Sequence, residues 1–285
     1  MSRMVLLTGA SSGIGKEIAR QLVRQGDFPI MAARSLPALR ELRETLGQGA
    51  CFSCDVTRQE DVDALKDEVL RQFGRVDALV NNAGFGHFGG ALDLTLADYQ
   101  EMIETNYLGA VRMTQSFLPH FLDQGGGRIV NIASTAGLTG VPNLAGYCGS
   151  KFALIGYSES LHLEFFPRIQ VGVLCPGPVQ TPFFRGEDPA RFFPPLLARR
   201  VLDPVFVAKQ AVRLLDRPRL QVMPRSLSWI TRLRSFAPGW YQWAMRNMYD
   251  SLKKEKATPP CTPSWSTPPL ETDGDNKSGT VSEKN

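Results

Sequence analysis

What this sequence has little of narrows it first. Three histidines, His87, His120 and His162, are spread over 285 residues, and five cysteines stand at positions 51, 54, 148, 175 and 261. Cys51 and Cys54 form a C-x-x-C, but no second Cys or His pair stands at comparable spacing, so no metal is expected. An odd cysteine set without a secretory signal argues for reduced thiols rather than a disulfide framework. No apolar run approaches the roughly 18 uncharged residues that a membrane-spanning helix needs. With the first strand expected from Arg3, a signal peptide has no room before it, and a cytoplasmic location is the expectation. No internal repeat is visible.

What is present suits one substantial core. The chain is 43% hydrophobic and carries a formal net charge of +4, which fits a single domain with appendages. The charge is unevenly placed. Lys and Arg balance Asp and Glu at 22 against 22 over residues 1–218, stand at 8 against 2 over 219–256, and at 2 against 4 over 257–285. All the positive excess therefore falls in one late segment.

Between Arg3 and about Cys175, short β-branched apolar runs alternate with longer amphipathic stretches. That is the pattern of βαβ units around a parallel sheet, an α/β doubly wound fold. Strands are predicted at 4–8, 29–33, 50–54, 78–81, 127–132 and 170–175, with helices between them, among them 14–25, 58–73 and 147–166. Thr95 followed by Asp98 resembles a capping box opening a helix toward Asn106. After Cys175, prolines interrupt a Phe-rich loop; a helix resumes at Pro204, and a short strand is expected near 220–223. This divides the chain into a dinucleotide-binding catalytic domain at 1–224, a basic aromatic helical extension at 225–252 and a disordered tail at 253–285. The tail's Pro, Ser, Thr and charge leave too little apolar surface to offset its ordering entropy.

The first strand leads straight into Gly9-Ala-Ser11-Ser12-Gly13-Ile14-Gly15 and then a helical pattern. Strand, glycine turn and helix N-terminus arrive in the order that pyrophosphate binding requires, because free N–H groups and the helix dipole hold an anion. An acidic residue at the end of the second strand would bond a ribose 2′-hydroxyl and repel a 2′-phosphate. Here that strand ends Met31-Ala-Ala-Arg34-Ser35. Arg34 is able to pair a 2′-phosphate, with Ser11 or Ser12 adding a hydroxyl, so NADP(H) is the favoured cofactor.

Tyr147 and Lys151 lie four residues apart, which places a phenol and an ammonium on one helix face. A neighbouring cation favours the phenolate, so the tyrosine is expected to exchange a proton nearer neutral pH than its ordinary value of about 10. Taken with Thr8–Gly15, Asp55-Val56, Asn81-Asn82-Ala83-Gly84, Asn106, Ser134 and Pro176-Gly177 followed by Thr181, the chain resembles the short-chain dehydrogenase/reductase family over roughly residues 3–225. The resemblance implies a Rossmann-type sheet and a set of roles. Tyr147 would be the general acid for reduction and the base for oxidation. Lys151 would lower its pKa and bind the nicotinamide ribose, Ser134 would bond the substrate oxygen, and Asn106 would hold a water linking Lys151 to solvent. Asp55 and Val56 would meet the adenine, the loop from Asn81 to Gly84 would pass along the adenosine side, and Pro176, Gly177, Val179 and Thr181 would contact the nicotinamide end.

Substrate choice in that family comes from the loop after Pro176 and from the C-terminal segment. Phe183, Phe184, Phe192, Phe193, Leu196 and Leu197 would suit an apolar ketone, aldehyde or alcohol. The segment 225–250 carries Trp229, Trp240 and Trp243 with Arg225, Arg232, Arg234 and Arg246, divided into two helical pieces by Pro238-Gly239. It has the composition of a lid, a dimer-packing element or a segment lying on an anionic membrane. One basic stretch on a neutral domain is too thin a footprint for nucleic acid. The resemblance also implies a homodimer or homotetramer through the helices bearing Asn106 and Tyr147. A soluble 3-oxoacyl-thioester reductase and a catalytically idle NADP-binding sensor or scaffold are the alternative functions.

Overall fold

The computed structural model describes residues 2–184, 201–224, 228, 233, 234 and 236–255. Phe192, Phe193, Leu196, Leu197, Trp229, Arg225, Arg232 and the end of the tail fall outside them.

Seven strands form one parallel sheet in the order β3-β2-β1-β4-β5-β6-β7: β1 Met4–Thr8, β2 Phe28–Ala33, β3 Ala50–Ser53, β4 Ala78–Asn81, β5 Gly127–Ile132, β6 Ile169–Pro176 and β7 Leu220–Met223. The helices are α1 Gly13–Arg24, α2 Leu36–Leu46, α3 Gln59–Phe73, α4 Leu96–Ile103, α5 Gly109–Asp123, α6 Ala145–Phe165, α7 Pro204–Asp216 and α8 Pro238–Glu255. Strand order reverses between β1 and β4, opening a crevice at their carboxyl ends where an open α/β sheet takes its ligand.

The strands are apolar without alternation because both faces of the sheet are covered. Val5 and Leu7 pack with Ile18 and Leu22 of α1 and Val207 and Leu215 of α7. Leu6, pointing the other way, joins Leu79 and Ile129 under Val62 and Val69 of α3 and Phe117 and Phe121 of α5. Phe117 and Phe121, one helical turn apart and both fully buried, each stabilise the fold by about 2 kcal/mol or more through burial.

Local signals locate the helices that carry the site. Thr95 accepts from the Asp98 N–H at 3.3 Å while the Asp98 carboxylate accepts from the Thr95 N–H at 2.7 Å, so the capping box opens α4. A π-helical turn, Glu104–Leu108, then separates α4 from α5 and contains Asn106. Such wide turns interrupt helices where a side chain must be aimed. Beyond β7, α8 begins at Pro238, a residue suited to a helix's first turn. α8 runs to Glu255, past residue 252, where the extension was expected to end. No helix among the described residues is long and apolar enough to cross a membrane.

Candidate active site

A cleft of about 490 Å3 opens over the carboxyl ends of the strands. Gly9, Ser11, Ser12, Gly13 and Ile14 line one end of it. Gly9 and Gly13 have φ of +64° and +52°, a left-handed backbone that favours glycine. Gly15, by contrast, does not line the cleft. A Cβ there would stand 2.2 Å from the Gly9 carbonyl oxygen, so its missing side chain lets α1 close onto the turn. Ser12 begins α1 in extended conformation without capping it, and no acidic residue occupies the first turn. The first-turn N–H groups and the helix dipole are thus left to an anion.

The turn is pinned from β4's side of the crevice. The Thr8 hydroxyl accepts from the N–H groups of Asn82 and Ala83 at 3.0 and 3.1 Å, and Asn82 Nδ2 donates to the carbonyls of Thr8 and Gly9 at 3.0 and 3.1 Å. Asn82, Ala83 and Gly84 line the cleft. Asn81 lies behind it: its Nδ2 donates to Asn131 Oδ1 at 2.9 Å and Thr114 Oγ1 at 3.2 Å, while Asn131 donates to Ser158. This buried chain ties β4, β5, α5 and α6 together. The Asn81 side chain holds the strands that present its neighbours to the cleft.

Arg34, exposed just past the end of β2, lines the far end of the cleft with Ser35, Asp55 and Val56. Burial raises the Asp55 carboxyl, but hydrogen bonds from the Thr57 N–H and hydroxyl and the charges of Arg34 and Arg58 prevail and hold it below the usual carboxylate value. Asp55 therefore stays anionic and shapes the end of β3.

At the opposite end lie Ser134, Tyr147 and Lys151. Tyr147 falls in the first turn of α6 and Lys151 one turn later. Ser134 begins a 3-10 turn, Thr135–Gly137, its Oγ accepting from the Ala136 N–H at 3.1 Å and donating to the Pro176 carbonyl at 3.4 Å. Ser134 thus caps that turn, and it lowers the Tyr147 phenol against the larger effect of burial. Lys151, 4% exposed, donates from Nζ to the Ile132 carbonyl at 2.9 Å, one residue past the last β4–β5 pair. Its ammonium stands 5.7 Å from the centre of the Tyr147 ring.

Burial opposes the lowering of the phenol expected from its cationic neighbour. Burial pushes the phenol of Tyr147 up to about 12, against a smaller lowering by Ser134. Burial likewise draws Lys151 down to about 8. Desolvation is the largest influence on both groups. Burial thus favours the neutral phenol of Tyr147.

Asn106, 1% exposed, stands behind this group and does not line the cleft. Its Oδ1 accepts from the Phe85 N–H at 2.9 Å, and its Nδ2 donates to the Phe85 carbonyl at 2.8 Å and to Ser150 Oγ at 2.9 Å. Ser150 donates in turn to the Tyr147 carbonyl at 2.8 Å. The π-turn thus holds the loop after β4 against the first turn of α6. Pro176, Gly177, Val179 and Thr181 line the cleft from β6's end, anchored by the Gly177 N–H to the Met223 carbonyl at 2.7 Å and by a bridge between Val179 and Leu202.

A model of the family described as short chain dehydrogenase matches residues 3–191. The chain belongs to the short-chain dehydrogenase family. Human dehydrogenase/reductase SDR family member 7 is 39% identical over 188 residues, covering 62% of this chain and 56% of that protein. Mouse epidermal retinol dehydrogenase 2 is 31% identical over 245 residues, covering 82% and 78%. The chain thus spans little more than half the length of the human relative. Among solved structures, a variant of actinorhodin polyketide ketoreductase with NADPH is 35% identical with TM-score 0.70, covering 78% of this chain and 95% of that one. A Burkholderia phymatum member in complex with NAD is 25% identical with TM-score 0.74, covering 82% and 93%.

Family motifs did not reveal every wall of the cleft. Phe85, Thr105, Ile132, Val141 and Leu144 also line it, and only long-range contacts bring them there. The Phe183 ring lies 5.2 Å from that of Tyr147 and 5.7 Å from Phe88, an aromatic cluster over the proton donor. Cys51 donates to the Leu39 carbonyl at 3.2 Å, and Cys54 is buried with its thiol pushed up to about 12 by burial; both serve packing.

Proposed function

We propose that this protein is an NADP(H)-dependent oxidoreductase that interconverts an apolar ketone or aldehyde with its alcohol. The observation that carries the reading is one cleft holding an uncapped glycine-turn helix and Arg34 at one end and Ser134, Tyr147 and Lys151 at the other. Gly9, Ser11, Ser12, Gly13 and Ile14 would cradle the pyrophosphate. Solved relatives hold NADPH and NAD alike, so fold likeness does not decide between the two. Arg34, with no acid on the β2 end, favours a 2′-phosphate.

The cofactor, when bound, supplies or accepts the hydride. Tyr147 donates its phenolic proton to the substrate oxygen as the alcohol forms, and takes it back in the reverse direction. Ser134 holds that oxygen beside the phenol. Lys151, fixed by the Ile132 carbonyl, stabilises the phenolate left behind. Asn106 positions rather than reacts, by locking Phe85 and Ser150. Phe183, Val141 and Leu144 offer apolar walls and exclude water from the transfer.

The ketoreductase likeness favours a second reading, reduction of a 3-oxoacyl thioester. One experiment addresses both. NADPH oxidation is followed with apolar ketones, aldehydes and a 3-oxoacyl thioester, for the protein and for Tyr147→Phe. Turnover of the apolar carbonyls that Tyr147→Phe abolishes is expected. Cofactor binding with no turnover of any carbonyl, and no effect of Tyr147→Phe, would leave an idle dinucleotide-binding protein.

A further inference from the structure

The helical extension presents two unlike sides. On the inner side Tyr241 and Tyr249 are buried, at 7% and 8% exposure, and the Tyr241 hydroxyl bonds Thr139. Arg234 donates to the Leu138 carbonyl and lies 5.2 Å from the Phe152 ring centre. On the outer side Phe236, Trp240 and Trp243 are exposed at 86%, 55% and 60%. Spacings of four and three put them on one helical face, since i to i+4 bonds run from Leu233 through Ala237 to Tyr241. The two indoles stand 6.4 Å apart. Such a contiguous aromatic surface is unfavourable in water.

We infer that this face docks on an anionic phospholipid surface. Indole and phenyl rings settle at the headgroup boundary, where apolar bodies leave water, and basic side chains draw the segment to negative lipid. The charge on the chain matches that partner: residues 219–256 carry 8 basic against 2 acidic residues, while residues 1–218 are balanced. Two copies meeting through this segment would instead bring like charges together. The helix rests on the loop that runs from Ser134 to Val141 and Leu144, both of which line the cleft. Docking therefore places the helix between the bilayer and the loop that lines the apolar end of the cleft. The surface itself does not depend on the carbonyl chemistry.

The test uses the full chain with phosphatidylcholine vesicles, with and without phosphatidylserine, read by vesicle sedimentation. Binding is expected only with phosphatidylserine and should weaken as salt rises. Replacing both exposed indoles (Trp240→Gln with Trp243→Gln) should reduce it roughly tenfold or more, with Phe236→Ala as a milder second variant. Thermal melts confirm that the variants fold. Equal binding with and without phosphatidylserine, or full binding by the double variant, overturns the proposal. So does a double variant that changes a dimer to a monomer in sedimentation velocity while vesicle binding is unaffected. Sedimentation needs no turnover, so this failure is distinct from a failure of the proposed reaction.

Discussion

Replacing Lys151 by Met should make the protein more stable at neutral pH while impairing its chemistry. Burial lowers the ammonium from 10.5 to about 8, a gap worth about 3 kcal/mol at 1.36 kcal/mol per pKa unit. Below pH 8 both folded and unfolded states hold the proton, and the fold bears the full cost of burying the charge. Between pH 8 and 10.5 only the unfolded lysine stays protonated, so stability rises with pH as that cost disappears. Met has similar length and no charge, but it abandons the bond to the Ile132 carbonyl, a loss of about 1 kcal/mol. The variant should thus be about 2 kcal/mol more stable at pH 7, an increase of roughly 4–8 °C in Tm for a chain of this size. The advantage should shrink above pH 8 and reverse to a deficit of about 1 kcal/mol near pH 10.5. The raised phenol of Tyr147 adds its own pH dependence, protonation favouring the fold until pH climbs past 10, so the readings at and below pH 10 carry the comparison. Urea unfolding of the cofactor-free proteins from pH 6.5 to 10.5 measures the difference. A variant less stable at pH 7, or a difference that does not vary with pH, would refute the reasoning.

The same lysine should shape the rate. With Tyr147 protonated well past neutrality, kcat/KM for NADPH in reduction should fall above about pH 8 as Lys151 discharges, and a profile flat to pH 9.5 would contradict this. Asn106→Ala removes the paired bonds to Phe85 and the bond to Ser150, so unfolding should show a loss of about 3 kcal/mol; a loss below about 1 kcal/mol would mean that the π-turn holds itself. Arg34→Ala should weaken NADPH roughly tenfold to a hundredfold by removing a charge-assisted bond, with little change for NADH, and equal losses in titrations of the two cofactors would remove the case for a 2′-phosphate site.

Much of this arrangement was legible from local patterns. The first strand, the capping box at Thr95 and the glycine turn depend on neighbours a few residues apart, and the structure places them at the expected positions. Tyr147 and Lys151 share a helix face because four residues make about one turn. The apolar strands announced a sheet covered on both sides, since such runs alternate less than those of a half-exposed sheet.

Other features belong to the tertiary structure because they depend on distant partners. Gly15 and Asn81 sit inside cofactor motifs, yet one closes a helix onto Gly9 and the other ties β4 to β5 and α5, which sequence order does not distinguish from ligand contact. Phe183 reaches Tyr147 only when the loop after β6 returns over α6. The exposed stripe of Phe236, Trp240 and Trp243 is defined by which side of the extension Tyr241 and Tyr249 bury. Most telling is the proton chemistry. Four-residue spacing brings a phenol and an ammonium to one helix face, but spacing carries no measure of desolvation. The burial of Lys151 against the Ile132 carbonyl draws the ammonium down, and desolvation at the wall of the cleft pushes the phenol up.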